Sequence, residues 1–170
     1  MTSNKDLAVE CLEFIQQFQS VLIGTSDSNG EPDVSYSPII YHSSRFYILI
    51  SQLSPHTKHL YQRPTAALLF IEDERDSEQI YARRRLNFSC TAQPCTRDGQ
   101  TWRTLIPMFR NQFGSIIDTL IVLDDFVLFQ LQPIQGKWVT GFGLAYEFRG
   151  MDFSEPEHLS GSSANLNSST

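Results

Sequence analysis

The chain has 170 residues, 41% of them hydrophobic and 12% aromatic, with twelve phenylalanines, which excludes a disordered or collagen-like polymer and leaves room for one sizeable core. Thirteen basic residues against nineteen acidic ones give a net charge of −6, which argues against a general phosphate-backbone binder, so no nucleic-acid partner is expected and any anion site must be local. Three cysteines without metal-ligand spacing, an opening MTSNKDLAVE without an apolar leader core, and no apolar run of membrane-span length predict a cytoplasmic protein with no membrane association.

Leu7, Cys11, Phe14, Ile15 and Phe18 recur at helical spacing and predict an amphipathic first helix. The run VLIGTSD, then Ser28-Asn29-Gly30, then VSYSPIIY predicts a β-hairpin around an Asn-Gly turn. A second polar turn, His42 to Arg45, leads into the apolar strand FYILISQL, and HTKHLYQRP reads as one or two helical turns stopped by Pro64. TAALLFIED predicts another strand, ERDSEQ a charged loop, and the run beginning at Arg83 a strand in which Leu86, Phe88, Cys90 and Ala92 alternate with polar residues. Asp98 is the expected start of a second helix, with Trp102, Leu105, Ile106, Phe109 and Phe113 as its apolar stripe, Pro107 as a bend and Gly114 as its stop. DFVLFQLQP and KWVTGFGLAYEF predict a last hairpin turning at Ile134-Gln135-Gly136, and residues 160–170 a mobile polar tail after a single domain spanning 1–159. About seven strands at hairpin spacing, two or three helices and no βαβ alternation predict a mainly β protein, an antiparallel barrel with flanking helices.

Four groups of residues carry candidate chemistry. Ser51 to Lys58 joins a strand end to a helix start, where free N–H groups, the Thr57 hydroxyl and the Lys58 ammonium suit a phosphate or carboxylate; a plain Ser-capped helix with a solvated lysine gives the same sequence. Arg83 and Arg85, expected on one polar sheet face with Asn87, suit a phosphate or paired propionates, unless they pair with Glu72, Asp73 and Glu74. Ser35 and Ser37 alternate with apolar neighbours as cofactor-groove residues or those of a half-exposed strand would. Of the four histidines, His56 and His59 lie three apart and His158 stands near the tail, with no metal-binding cluster, and neither a GxSxG motif nor an activated cysteine supports nucleophilic catalysis.

Taken in order, PDVSYSPII, ISQLSPHTKHL, IEDE, ARRRLNF, QFGSIID, DDFVLFQLQP and GFGLAY resemble the HugZ/HutZ haem-utilisation proteins, a branch of the pyridoxamine 5′-phosphate oxidase-like, FMN-binding split-barrel superfamily, over about residues 10–160. The resemblance implies a split β-barrel, a homodimer with ligand at the subunit interface, and FMN phosphate held by His56, Thr57 and Lys58 with Arg83 and Arg85; Ser35, Ser37 and Ser51 are cofactor-binding candidates from the residue pattern alone. For haem-degrading members it implies Asp125 before the DFVLF strand and an axial histidine in the C-terminal segment. Where those members read approximately HLxxGH, this chain reads His158-Leu159-Ser160-Gly161-Ser162-Ser163, with Ser163 at the ligand position and His158 five residues earlier. An FMN-dependent oxidoreductase of an unknown small molecule is the leading expectation, with haem binding or degradation and a non-catalytic ligand-binding barrel as alternatives. Any haem is expected to be held weakly or by a different ligand.

Overall fold

A computed structural model describes residues 4–150 and 154–159. The expected tail and Ser163 lie outside the described residues. The elements run α1 (Asn4–Ile15), β1 (Ser20–Ser26), β2 (Pro32–Pro38), β3 (Ile40–His42), β4 (Arg45–Ser51), α2 (Pro55–Gln62), β5 (Thr65–Ile71), β6 (Arg85–Pro94), α3 (Gln100–Phe113), α4 (Ile116–Leu120), β7 (Phe126–Gly141), β8 (Leu144–Arg149) and β9 (Ser154–His158). Two short 3₁₀ turns, Glu74–Asp76 and Ile80–Ala82, fill the charged segment between β5 and β6.

The strands form one antiparallel sheet in the order β2-β1-β5-β6-β7-β4-β3, with β8 and β9 added beyond the second half of β7. The sheet curls into a split barrel. Its interior holds Phe46, Ile48, Phe70, Phe88, Phe129, Leu131 and Trp138, capped by the Leu7, Cys11, Phe14 and Ile15 face of α1. A second core lies outside the barrel, where Trp102, Leu105, Ile106 and Phe109 of α3 pack on Tyr47, Leu49 and Leu128. The unbroken apolar run of β4 follows from this arrangement, because β4 is buried on both faces between the two cores. The β3–β4 turn has φ +49° at Ser43 and +61° at Ser44, the positive pair of a type I′ turn, which matches the twist of the strands it joins.

The largest departure from expectation concerns β7. Ile134-Gln135-Gly136 is not a turn: β7 runs through it for sixteen residues, with a bulge against Ser89 and Cys90 of β6. Gly136 is required for a different reason. A Cβ there would stand 2.1 Å from Phe148 Cε2, so the missing side chain makes room for the ring of β8. The real hairpin turns at Gly141-Phe142-Gly143, within a run read as one strand, and φ at Gly143 is +71°. Among the described residues nine strands therefore replace the expected seven, since VSYSPIIY also breaks into β2 and β3 and the Ser154–His158 strand gave no pattern to read.

Two smaller corrections follow. Helix α3 starts at Gln100 with Gly99 as its cap, and Asp98 lies outside it at φ +60°. Strand β6 begins at Arg85, not Arg83, because Glu72 and Glu74 draw Arg83 off the strand line. Pro107 sits inside α3 without ending it, and Gly114 closes the helix at φ +81° as expected.

Candidate functional site

The residues singled out from sequence collect at two opposite ends of the sheet. Ser51 at the end of β4, the first turn of α2 and Asp125 before β7 form one end, since Ser51 pairs with Phe126. Arg83, Arg85 and His158 form the other: Arg85 pairs with Val139, and His158 pairs with Tyr146, itself opposite Trp138.

The first end is closely bonded. The Ser51 hydroxyl donates to Asp125 Oδ2 at 2.5 Å and accepts from the Leu53 N–H at 3.1 Å, while the Gln52 N–H donates to the Asp125 carbonyl at 2.7 Å. Thr57 is fully buried, and its hydroxyl donates 2.6 Å to the Ser51 carbonyl, pinning α2 to the end of β4. Ser54 stands at the helix cap without a side-chain bond to it, and Pro55 at the first helical position removes one backbone donor. Thr57 and the buried His56 therefore turn inward and offer no side-chain donor to solvent, which leaves Lys58 as the exposed cation of this turn, with no partner among the described residues.

His56 is 6% exposed, and its Nε2 has no hydrogen-bond partner. Burial pushes its pKa below the usual histidine range, with the nearby Asp33 carboxylate opposing the shift and His59 adding to it. One turn further on, His59 Nδ1 lies 3.0 Å from Thr25 Oγ1 and 3.9 Å from Asp33 Oδ2.

A residue not anticipated from sequence holds the loop that presents Asp125. Arg97 donates to the carbonyls of Ile121, Leu123 (3.3 Å) and Phe126 (3.4 Å) and stacks 5.0 Å from the Trp102 ring. The only sequence signal for it was an arginine within reach of the carbonyl end of the short helix α4, a contact that needs the tertiary fold to be seen.

At the second end most of the arginine charge is spent within the chain. Arg83 pairs with Glu74 at 3.1 Å and donates 2.5 Å to the Glu72 carbonyl; Arg84 pairs with Glu72 at 2.9 Å and lies over the Phe14 ring. Desolvation raises Glu72, but the bonds and charge of Arg84 and the Ser77 hydroxyl outweigh it and hold the carboxyl below its usual range. Arg85 stays half-buried on the outward face beside Asn87, bonding the Arg83 carbonyl at 2.9 Å. His158 is exposed: its ring meets that of Tyr146 edge-on, and Nε2 is 3.2 Å from the Gly143 carbonyl. With Nε2 as the donor, Nδ1 keeps its lone pair, and a carbonyl behind an imidazole is the usual support of a metal-bound histidine.

Ser35 and Ser37 lie on the inward face of β2, Ser37 being buried with its hydroxyl on the Pro38 carbonyl. The apolar residues of the alternation face outward instead: Val34 is 73% exposed and Tyr36 61%, beside exposed Leu22 of β1.

Neither expected constellation closes within one chain. Lys58 and Arg85 are separated by most of the length of β6, and Asp125 and His158 by some twelve residues of β7, roughly 40 Å measured along the strand at ~3.3 Å per residue. Among the described residues no group of three or more His, Cys, Asp or Glu side chains is placed to hold a metal ion. Burial pushes the Cys11 and Cys90 thiols up to about 12, so neither supplies a nucleophile.

This split barrel, with its polar groups at two ends of one sheet, is that of a pyridoxamine 5′-phosphate oxidase-like protein, and residues 7–139 match the pyridoxamine 5′-phosphate oxidase family. The chain is 39% identical over 153 residues, 90% of its length and 87% of the relative's, to the heme oxygenase HutZ of Vibrio cholerae. A crystal structure of HutZ, described as a heme storage protein, superposes with a TM-score of 0.70 at 38% identity, covering 74% of this chain and 88% of that one. Campylobacter jejuni ChuZ superposes with a TM-score of 0.82 at 30% identity over 92% of this chain and 63% of ChuZ. The protein belongs to the pyridoxamine 5′-phosphate oxidase family and, within it, to the HutZ-like haem-utilisation branch. No helix of the described residues is long and apolar enough to cross a membrane.

Proposed function

We propose that this protein binds haem as a homodimer, in sites that each take residues from two copies. The observation that carries the haem reading is the 39% identity to a heme oxygenase over nearly the whole of both chains. This reverses the order of expectation, in which FMN came first. The geometry supports a shared site: the Asp125 acceptor and the carbonyl-backed His158 imidazole stand at opposite ends of the sheet, so one porphyrin meets both only when a second copy brings its Asp125 end to the first copy's His158 end. The outward face bearing Leu22, Val34 and Tyr36 supplies apolar surface for such pairing.

In this reading His158 is the imidazole donor, oriented by the Gly143 carbonyl, and Asp125, fixed by Ser51, is an acceptor for an N–H or O–H at the edge of the site. Bound haem would supply the redox-active iron, and the tuning available to the protein is the hydrogen bonding around it. Three unpaired cysteines suit a reducing cytoplasm.

Titration with haem, followed by its Soret band, tests the proposal. Saturable binding that is weakened at least tenfold by His158→Ala supports it, and Ser163→His restoring or strengthening binding marks the tail as the second contributor. Absence of a Soret shift in the wild type overturns it. Sedimentation at micromolar concentration as a stable monomer near 19.4 kDa removes the shared site. A flavoprotein is the second reading, favoured by the free Lys58 at the start of α2; purified protein with flavin absorption near ~450 nm selects it over haem.

A further inference from the structure

Helix α2 is fastened to the rest of the sheet by a small polar cluster, and that cluster contains one buried imidazole nitrogen without a hydrogen-bond acceptor. His56 and His59 lie three residues apart and face β1 and β2. His59 has two polar neighbours, the Thr25 hydroxyl and the Asp33 carboxylate. His56 is the more deeply buried of the two, and its Nε2 meets no acceptor.

The groups around the pair are few. β2 contributes Asp33, whose side chain is 40% exposed, and β1 only the neutral Thr25 and Ser26 hydroxyls. The β1–β2 turn contributes Asp27, occupied by the Asn29 and Glu31 N–H groups. The helix itself carries exposed Lys58, and Arg63 follows it with its guanidinium 3.5 Å from Ser26 Oγ. β6 touches α2 near Ala92, and its ionisable residues, Arg85 and Cys90, are a remote cation and a neutral thiol. Asp33 therefore acts on the buried imidazole of His56, Asp27 reaches His59, Glu31 of the same turn is exposed, and the remaining charges on the helix are positive.

We propose that His56 is a proton-operated latch: protonation buries a cation without an acceptor beside a second imidazole, and the first turn of α2 lifts from β1 and β2. Thr57 is the next residue, and its hydroxyl is what pins the Ser51 carbonyl, so lifting this turn releases the backbone of the residue whose hydroxyl bonds Asp125. The latch is a property of the chain alone; only its effect on a ligand at Asp125 rests on the haem reading.

The sign follows from proton binding. A histidine whose folded pKa is depressed binds fewer protons folded than open, so closure is complete above its ordinary value of 6.5 and weakens as pH falls through it. Uptake of one proton favours the open form by up to about tenfold per pH unit until the folded state also titrates.

Hydrogen exchange of the ligand-free protein between pH 7.5 and 5.0, corrected for intrinsic rates, reads the latch directly. The expected result is a loss of protection approaching tenfold per unit below 6.5, confined to residues 51–62 and absent in His56→Phe. An equal acid response in His56→Phe, or no response in the wild type, overturns the proposal. Should His56→Phe fail to fold, the ring resonances of His56 in the wild type decide: titration at or above the ordinary histidine value overturns the latch, and titration below it supports it. Because no haem is present, a chain that proves unable to bind haem leaves this result standing. Haem affinity that does not change while α2 opens overturns the link to Asp125 but belongs to a separate titration.

Discussion

The two ends of the sheet are built on different terms. At the Asp125 end every turn is tied down: Ser51 to Asp125, Thr57 to Ser51, and Arg97 to three carbonyls of the loop between α4 and β7. At the His158 end β7 runs into a two-glycine turn whose Phe142 is 84% exposed, Tyr81 is as exposed, and His158 is supported by the Gly143 carbonyl and the Tyr146 ring. An end fixed by buried hydrogen bonds keeps its geometry without a ligand, whereas, apart from the pairs of Arg83 with Glu74 and Arg84 with Glu72, the β7–β8 hairpin beside His158, with its exposed aromatic, takes its final arrangement from what docks on it. A site drawing on both combines a preorganised acceptor with an adaptable donor.

Substitutions that separate the two ends sharpen this contrast. Arg97→Ala removes three charge-assisted bonds and a ring contact from the fixed end and should cost roughly 1.5–3 kcal/mol in urea unfolding. An effect below half a kilocalorie would show that the loop holds without it. Gly136→Ala, where β7 passes from one end to the other, forces a methyl into the Phe148 ring and should cost about 1–3 kcal/mol, with Phe148→Ala in the same chain recovering part of the clash. If Gly136→Ala unfolds at the same urea concentration as the wild type, the close approach does not constrain the strand.

Smaller effects are expected from the polar groups themselves. Ser51→Ala leaves Asp125 half-exposed and able to recruit water, so about 0.5–1.5 kcal/mol should be lost, together with a measurable weakening of haem binding. His158→Ala, on the adaptable end, should change stability by less than ~0.5 kcal/mol while lowering haem affinity. Destabilisation by His158→Ala equal to that of Arg97→Ala would erase the distinction between the two ends.

Much of the fold was legible from local pattern. The alternation in β1, β5 and β6, the helical stripe of α3 with its closing Gly114, and the polar turn at Ser43 and Ser44 each follow from a period or a backbone preference carried by a few neighbouring residues. Gly136 misled because a glycine between apolar runs reads as a turn, and the ring of Phe148, twelve residues away, is what requires it. The candidate site was legible as residue types but not as an arrangement. Lys58 and Arg85, or Asp125 and His158, look like partners in the chain, yet antiparallel pairing carries them to opposite ends of the sheet.

The sequence by itself thus determined most of the helices and strands, their buried faces and which residue types are candidates for chemistry, since these depend on periodicity and side-chain character within a short window. Tertiary structure alone decided that β7 is one bulged strand serving three neighbours, that Arg83 and Arg84 are neutralised by Glu72 and Glu74, and that Thr57 and His56 turn inward. Those outcomes depend on contacts between residues distant in the chain, whose strength is set by burial and register that no local pattern encodes.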